Sequence, residues 1–189
     1  FFAGLVDAEN FKINGGQGDD GQVLTSTGSG VAFEDAAGGG PTFKTFGTSS
    51  IMVGDNATGT INAANYNTAV GVDVFADLTT GDNNSAFGFF ALGNNTSGGN
   101  NTMVGAYAGA LNIDDSDNTA VGYAANYPDG GTNTTAIGSQ SLNANTGDYN
   151  TAVGALAMNA NVGGGYNVAV GQNALVAHTT GNFNVGIGR

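Results

Sequence analysis

The sequence contains no cysteine and no tryptophan, and only two prolines, one histidine and three basic residues, Lys12, Lys44 and Arg189. Without cysteine it has neither a disulfide framework nor a thiolate metal site. Fifteen acids leave a net charge of −12. That balance argues against a nucleic-acid partner, because such affinity comes from cations that neutralise phosphates. It argues equally against an anionic membrane surface. No apolar run approaches the roughly 18 residues of a membrane-spanning helix. The single histidine, His178, falls in a turn phrase, VAHTTG, and reads as a solvated turn residue rather than a general base. No nucleophile phrase accompanies it, and the acids are scattered over turns, so the chain is expected not to be an enzyme.

What the chain has in excess is glycine, 34 residues, and a period. NTAVG stands at Asn67–Gly71, Asn118–Gly122 and Asn150–Gly154, with NSAFG, NTMVG, TTAIG and NVAVG at Asn84, Asn101, Thr134 and Asn167. The closing glycines are Gly54, Gly71, Gly88, Gly105, Gly122, Gly138, Gly154, Gly171 and Gly188, at intervals of 17, 17, 17, 17, 16, 16, 17 and 17 residues. Self-similarity at a fixed short period marks a solenoid. Each unit has a short β-branched phrase bounded by Gly/Asn turn clusters and no helical stripe. The expected fold is therefore all-β: a parallel β-solenoid, or β-roll, of ~17-residue repeats with almost no helix.

Within the unit the fourth position is always large and apolar: Val53, Val70, Phe87, Val104, Val121, Ile137, Val153, Val170 and Ile187. These nine are expected to form the structural core, stacked in line inside the coil. Neighbouring strand residues point to opposite faces, so the third-position row, mostly alanine, would then face outward. Apolar residues on both faces call for cover on both faces, which suggests another copy of the chain. The first-position asparagines either pass amide hydrogen bonds along a ladder or simply favour the turn before the strand. The closing glycine provides a positive φ or a close approach to the next coil.

The unit NTAVGALAMNANVGGGY resembles the head repeats of trimeric autotransporter adhesins and the related N-T-A-V-G repeats of phage tail fibres. The resemblance covers residues 48–189 and implies a left-handed parallel β-roll wound as a homotrimer and used in surface attachment. Gly18–Ala36, GDDGQVLTSTGSGVAFEDA, looks like a segment common in phage tail fibres. Read from its residues, it holds two short strands, Gln22–Ser26 and Val31–Glu34, joined by a T-G-S-G turn. The expected organisation is an N-terminal β stem and connector over 1–47, with a Gly-rich joint at Ala36–Pro41, then the solenoid over 48–189. The last residues, NVGIGR, open a ninth unit, so the solenoid is expected to continue beyond them.

Together these features give the expected function. The chain is a structural shaft segment of a phage tail fibre or similar virion appendage that supports host attachment. Its partners are copies of itself in a homotrimer and other virion or tail proteins, with the host receptor met through another region. Its place is the virion; the alternative is the head of a bacterial trimeric adhesin at the cell surface. A third reading is an ice-binding solenoid, raised by the second-position threonines Thr68, Thr102, Thr119, Thr135 and Thr151 and weakened by Ser85, Val168 and Val185.

No cofactor is expected beyond a weak Ca²⁺ reading at two places. NIDDSDN puts Asp114, Asp115 and Asp117 in one turn of hard oxygen ligands. GGQGDD, Gly15–Asp20, matches a calcium phrase of some β-rolls but stands alone. The candidates for a sugar-stacking patch are Phe89, Phe90, Tyr107, Tyr123 and Tyr127, which are expected instead to pack between coils or subunits.

Overall fold

The structure, a computed structural model, describes the backbone of 22–26, 31–35 and 43–46, and backbone with side chains over 50–53, 63–127 and 131–189. It divides into two compact units, 1–42 and 43–189. In the first, β1 (Gln22–Ser26) pairs antiparallel with β2 (Val31–Asp35), from Gln22 opposite Asp35 to Ser26 opposite Val31. Both strands read from the sequence are present, the second longer by one residue.

The second unit is one ten-stranded sheet. It starts at Phe43 rather than residue 48, because β3 (Phe43–Phe46) pairs antiparallel with β4 (Ser50–Val53) along the edge that β5 leaves free. Eight three-residue strands follow: β5 (Thr68–Val70), β6 (Ser85–Phe87), β7 (Thr102–Val104), β8 (Thr119–Val121), β9 (Thr135–Ile137), β10 (Thr151–Val153), β11 (Val168–Val170) and β12 (Val185–Ile187). The nine strands β4–β12 run parallel, each paired with the next in sequence, as a solenoid of one coil per repeat. Every strand position pairs with the same position of the next coil, as in Met52 opposite Ala69 and Ala69 opposite Ala86. The two 16-residue intervals keep this register, with Thr119 opposite Thr135 and Thr135 opposite Thr151. The missing residue is therefore taken out of the turns. We number the coils from 50–66 as coil 1, so that coils 2 to 8 are 67–83, 84–100, 101–117, 118–133, 134–149, 150–166 and 167–183.

Hydrogen bonding between coils continues outside the strands. Asp77 N donates to Gly93 O at 2.9 Å, Leu92 N to Ala108 O at 3.1 Å and Met158 N to Ala174 O at 3.0 Å. The coil achieves this by holding positions 7, 9 and 17 in the left-handed region, with φ between 46° and 61° even for Phe90, Leu92, Tyr107, Leu142 and Tyr166. Each such residue costs about 1–2 kcal/mol, offset by the backbone bonds that the bends align. The closing glycine is fixed by both of its expected reasons. Gly105 has φ 134°, and a Cβ there would stand 2.5 Å from the carbonyl oxygen of Gly122.

The core differs from the expected one by one residue of register. The third-position row, Met52, Ala69, Ala86, Met103, Ala120, Ala136, Ala152 and Ala169, is fully buried. The expected core row faces outward instead: Val70, Phe87, Val104, Val121, Ile137 and Val170 are 37–40% exposed, Ile187 is 78% exposed, and Val53 and Val153 are partly exposed. Volume is the reason. A coil of 17 residues is too thin for branched side chains from the strand as well as the large ones that enter opposite. Position 9 supplies those: Phe75, Leu92, Leu142 and Met158 are fully buried. Alanine on the strand leaves them room. Coil 4 proves the rule by inversion, since Met103 sits on the strand and position 9 is Gly109, where a Cβ would come 2.9 Å from the Met103 thioether. Total volume is kept, as a close-packed interior requires.

Candidate functional site

Asparagine at position 1 builds the inner edge of the coil. Its Oδ1 accepts the backbone N–H of the same position in the next coil: Asn84 N to Asn67 Oδ1 at 2.8 Å, Asn101 N to Asn84 Oδ1 at 2.9 Å, Asn118 N to Asn101 Oδ1 at 3.0 Å. Its Nδ2 donates to a carbonyl fourteen residues on, as from Asn67 to Gly81 and from Asn84 to Gly98, both at 2.9 Å. The side chain therefore forms the ladder, but mainly through backbone partners. Side-chain rungs occur between Asn150 and Asn167 (3.1 Å) and between Asn167 and Asn184 (3.0 Å). Thr134 fills the position in coil 6, and its hydroxyl donates to Asn118 Oδ1 at 2.8 Å.

His178 belongs to this inner polar column rather than to a solvated turn. It is half-buried, its Nδ1 lies 3.3 Å from Asn161 Oδ1, and its Nε2 lies 3.0 Å from Asn184 Nδ2. Both ring nitrogens are engaged by amides.

The three candidate calcium ligands are not brought together as a cage. Asp115 turns to the next coil, where its Oδ2 accepts from Gly131 N at 3.0 Å and its Oδ1 from Thr132 Oγ1 at 3.2 Å. Asp117 turns to the preceding coil, accepting from Asn100 Nδ2 at 3.0 Å. Asp114 is exposed. Among the described residues no three acidic, histidine or cysteine side chains form a group that could hold a metal ion. Gly15–Asp20 lies outside the described residues.

Outside the coil two features stand out. The first is the strand face, where position 4 runs as an apolar stripe along every coil beside the partly exposed threonines of position 2. The second is aromatic. Tyr107 is the hub of a cluster, meeting Phe89 edge-on at 5.2 Å, Phe90 at 6.0 Å, Tyr123 at 6.1 Å and Tyr127 at 6.3 Å. Beside it opens a cleft of about 410 Å³ lined by Tyr107, Tyr123, Ala124, Tyr127, Gln140 and Asn143. The expected packing between coils is thus present, yet Phe89 and Tyr123 remain 43% and 53% exposed.

A further aromatic column escaped the sequence reading: Tyr149, Tyr166 and Phe183 stack at 4.8 and 5.0 Å with interplanar angles of 12° and 17°. Its signal was available, since each ring immediately precedes the first residue of a unit. Among the described residues no helix is long and apolar enough to cross a membrane. Comparison with protein-family models, curated proteins and solved structures finds no match to the chain.

Proposed function

We propose that the chain is a shaft segment of a homotrimeric fibre, in a phage tail fibre or similar virion appendage, whose role is to extend and present a host-attachment tip. The observation that carries this reading is the position-4 stripe. A row of Val, Ile and Phe side chains, one per coil and each more than a third exposed over most of its length, is an apolar surface that a soluble protein normally covers. Identical rows on identical coils match in pitch, so copies of the chain aligned in parallel cover it along its whole length. The resemblance to trimeric adhesin heads sets the number at three. With ~4.8 Å per coil, the eight intervals between glycine anchors make about 38 Å of rod.

The role assigned to alanine changes with the core. Ala152→Arg would now disrupt the coil itself, whereas Val121→Asp with Ile137→Asp strikes only the outer face. Light scattering on the eluted protein should give a trimer for the wild type and a monomer for the double variant, with the far-ultraviolet circular dichroism unchanged. A stable wild-type monomer would end the fibre reading. It would favour the ice-binding alternative, because a monomer leaves a flat Thr/Val face open along the stack, and thermal hysteresis would test it. The adhesin-head alternative shares the trimer; a neighbourhood of tail and baseplate genes, rather than a C-terminal membrane anchor, separates the two.

A further inference from the structure

We propose that the cleft over coil 5 is a binding site for a single neutral saccharide ring, presented on the flank of the solenoid. The inference goes beyond the fibre reading and does not require it, since every lining residue belongs to one chain. The cleft exists because position 7 changes size along the stack. Tyr107 holds it in coil 4 and Gln140 in coil 6, but Ala124, buried, holds it between them. A missing side chain between two large ones leaves a slot of two coil spacings, about 9.6 Å. A pyranose at its centre would lie about 4.8 Å from each wall, the separation at which a ring face meets an aromatic face.

The walls suit that occupant chemically. Tyr107 is held by four neighbouring rings, so its face is preorganised. Tyr123 stands more than half exposed at the mouth. Opposite are planar amides, which suit vicinal hydroxyls by offering a donor and an acceptor side by side. Asn143 is fixed by donating from Nδ2 to Ala124 O at 3.1 Å. The Gln140 side chain makes no hydrogen bond with another described residue. Among the described residues no charged side chain lines the cleft, although the chain carries −12, and this lining suits a neutral ligand. The site is also local. A contact between copies would repeat along the stack as position 4 does, but coils farther along have Asp73 and Asn173 at position 7, and coils 3 and 4 have Gly93 and Ala110 at position 10.

The test is saturation-transfer NMR on the full chain with methyl α-D-glucopyranoside, methyl β-D-galactopyranoside and methyl α-D-mannopyranoside, and with N-acetylproline methylamide as a ring without hydroxyls. At least one pyranoside should bind with a dissociation constant of about 1 mM, as expected for so small a ligand. Ala124→Leu should fill the slot and weaken binding at least ~10-fold, as should Tyr123→Ala, which removes a stacking face. Leucine is compatible there, because Leu156 occupies position 7 of coil 7 at φ 60°. Phe183→Ala, in the other aromatic group, should leave binding unchanged. Saturation of none of the three pyranosides at roughly 50 mM would overturn the proposal. So would binding indifferent to Ala124→Leu, or equal binding of the proline amide. Dissociation of the assembly by Ala124→Leu would assign the cleft to a contact between copies instead.

Discussion

Tyr149, Tyr166 and Phe183 occupy one position of three successive coils and lie almost parallel, 4.8 and 5.0 Å apart. Phe89, Phe90, Tyr107, Tyr123 and Tyr127 are spread over positions 6, 7 and 10 of three coils, and they meet tilted or edge-on at 5.2–6.3 Å. In the first group the strand spacing of ~4.8 Å does the positioning, because it is close to the stacking distance of two rings. In the second, repetition is broken, and even Phe90 and Tyr107, which share position 7, are inclined by 50°, with Tyr107 turned edge-on to Phe89. Regular repetition yields a continuous surface; its interruption yields a concavity. The difference locates a ligand site on coil 5 rather than on coil 7, although both regions are rich in exposed aromatic rings.

The largest effect should come from the contact that sets the spacing for both groups. Gly122 has φ 135°, and a Cβ there would lie 2.7 Å from the carbonyl carbon and oxygen of Gly138 in the next coil. Gly122→Ala therefore combines backbone strain with a clash against backbone that cannot rotate away, a loss of about 3–5 kcal/mol. Gly163→Ala is the control, since nothing lies within 4 Å of a Cβ there. Thermal melts followed by circular dichroism should show a large fall for the first and almost none for the second. Equal melting of Gly122→Ala and wild type would refute the spacing argument.

Coil 5 carries a second irregularity on its inner side. Position 9 there is Asn126, fully buried, with neither amide atom hydrogen-bonded among the described residues. Other coils put Leu92 and Leu142 at this position, with φ 49° against 51° for Asn126. Asn126→Leu keeps the backbone and removes a desolvated amide, and it should stabilise the fold by about 1–3 kcal/mol. A lower denaturation midpoint for this variant would mean that the amide has a structural role that the packing does not explain.

Much of this architecture was legible in the residues. The intervals between glycines fixed one coil per repeat, and the phrase GQVLTSTGSGVAFED located β1 and β2 to within one residue. The face of the strand was not legible. NTAVG offers alanine and valine side by side, both apolar, and hydropathy assigns the interior to the larger. What decides is the volume arriving from position 9, where Phe75, Leu92 and Met158 sit in phrases that look like turns. The Met103/Gly109 exchange was the one clue in the sequence, a large residue on the strand matched by the loss of one opposite. Asp114, Asp115 and Asp117, close together in the sequence, do not converge, for a related reason. Adjacent residues in a tight coil turn to different neighbours, so closeness in sequence does not converge their carboxylates. The cleft was half legible: its aromatics were conspicuous, but Ala124, the residue that makes room, was not.

The smallest effect sharpens the comparison most. Tyr166→Asn deletes the middle ring of the regular column, with the loss of two stacked contacts worth about 0.5–1.5 kcal/mol each at most. The ring is 52% exposed, so little buried surface goes with it. Against this, the backbone at 166 has φ 60°, and Asn83, Asn100 and Asn133 already hold position 17 with φ 59–60°. Asparagine tolerates that region better than tyrosine, which returns part of the ~1–2 kcal/mol of strain. The two terms nearly cancel, and the net loss should stay within ~1 kcal/mol. Tyr107→Asn meets the same backbone, φ 60°, with Asn173 as its precedent at φ 61°, but it removes four ring contacts at once. Its loss should exceed that of Tyr166→Asn by at least ~1 kcal/mol. Chemical denaturation of the two variants measures the difference directly. Equal losses would mean that the cluster beside the cleft is no better packed than the open column, and Tyr107 could not then serve as a preorganised wall.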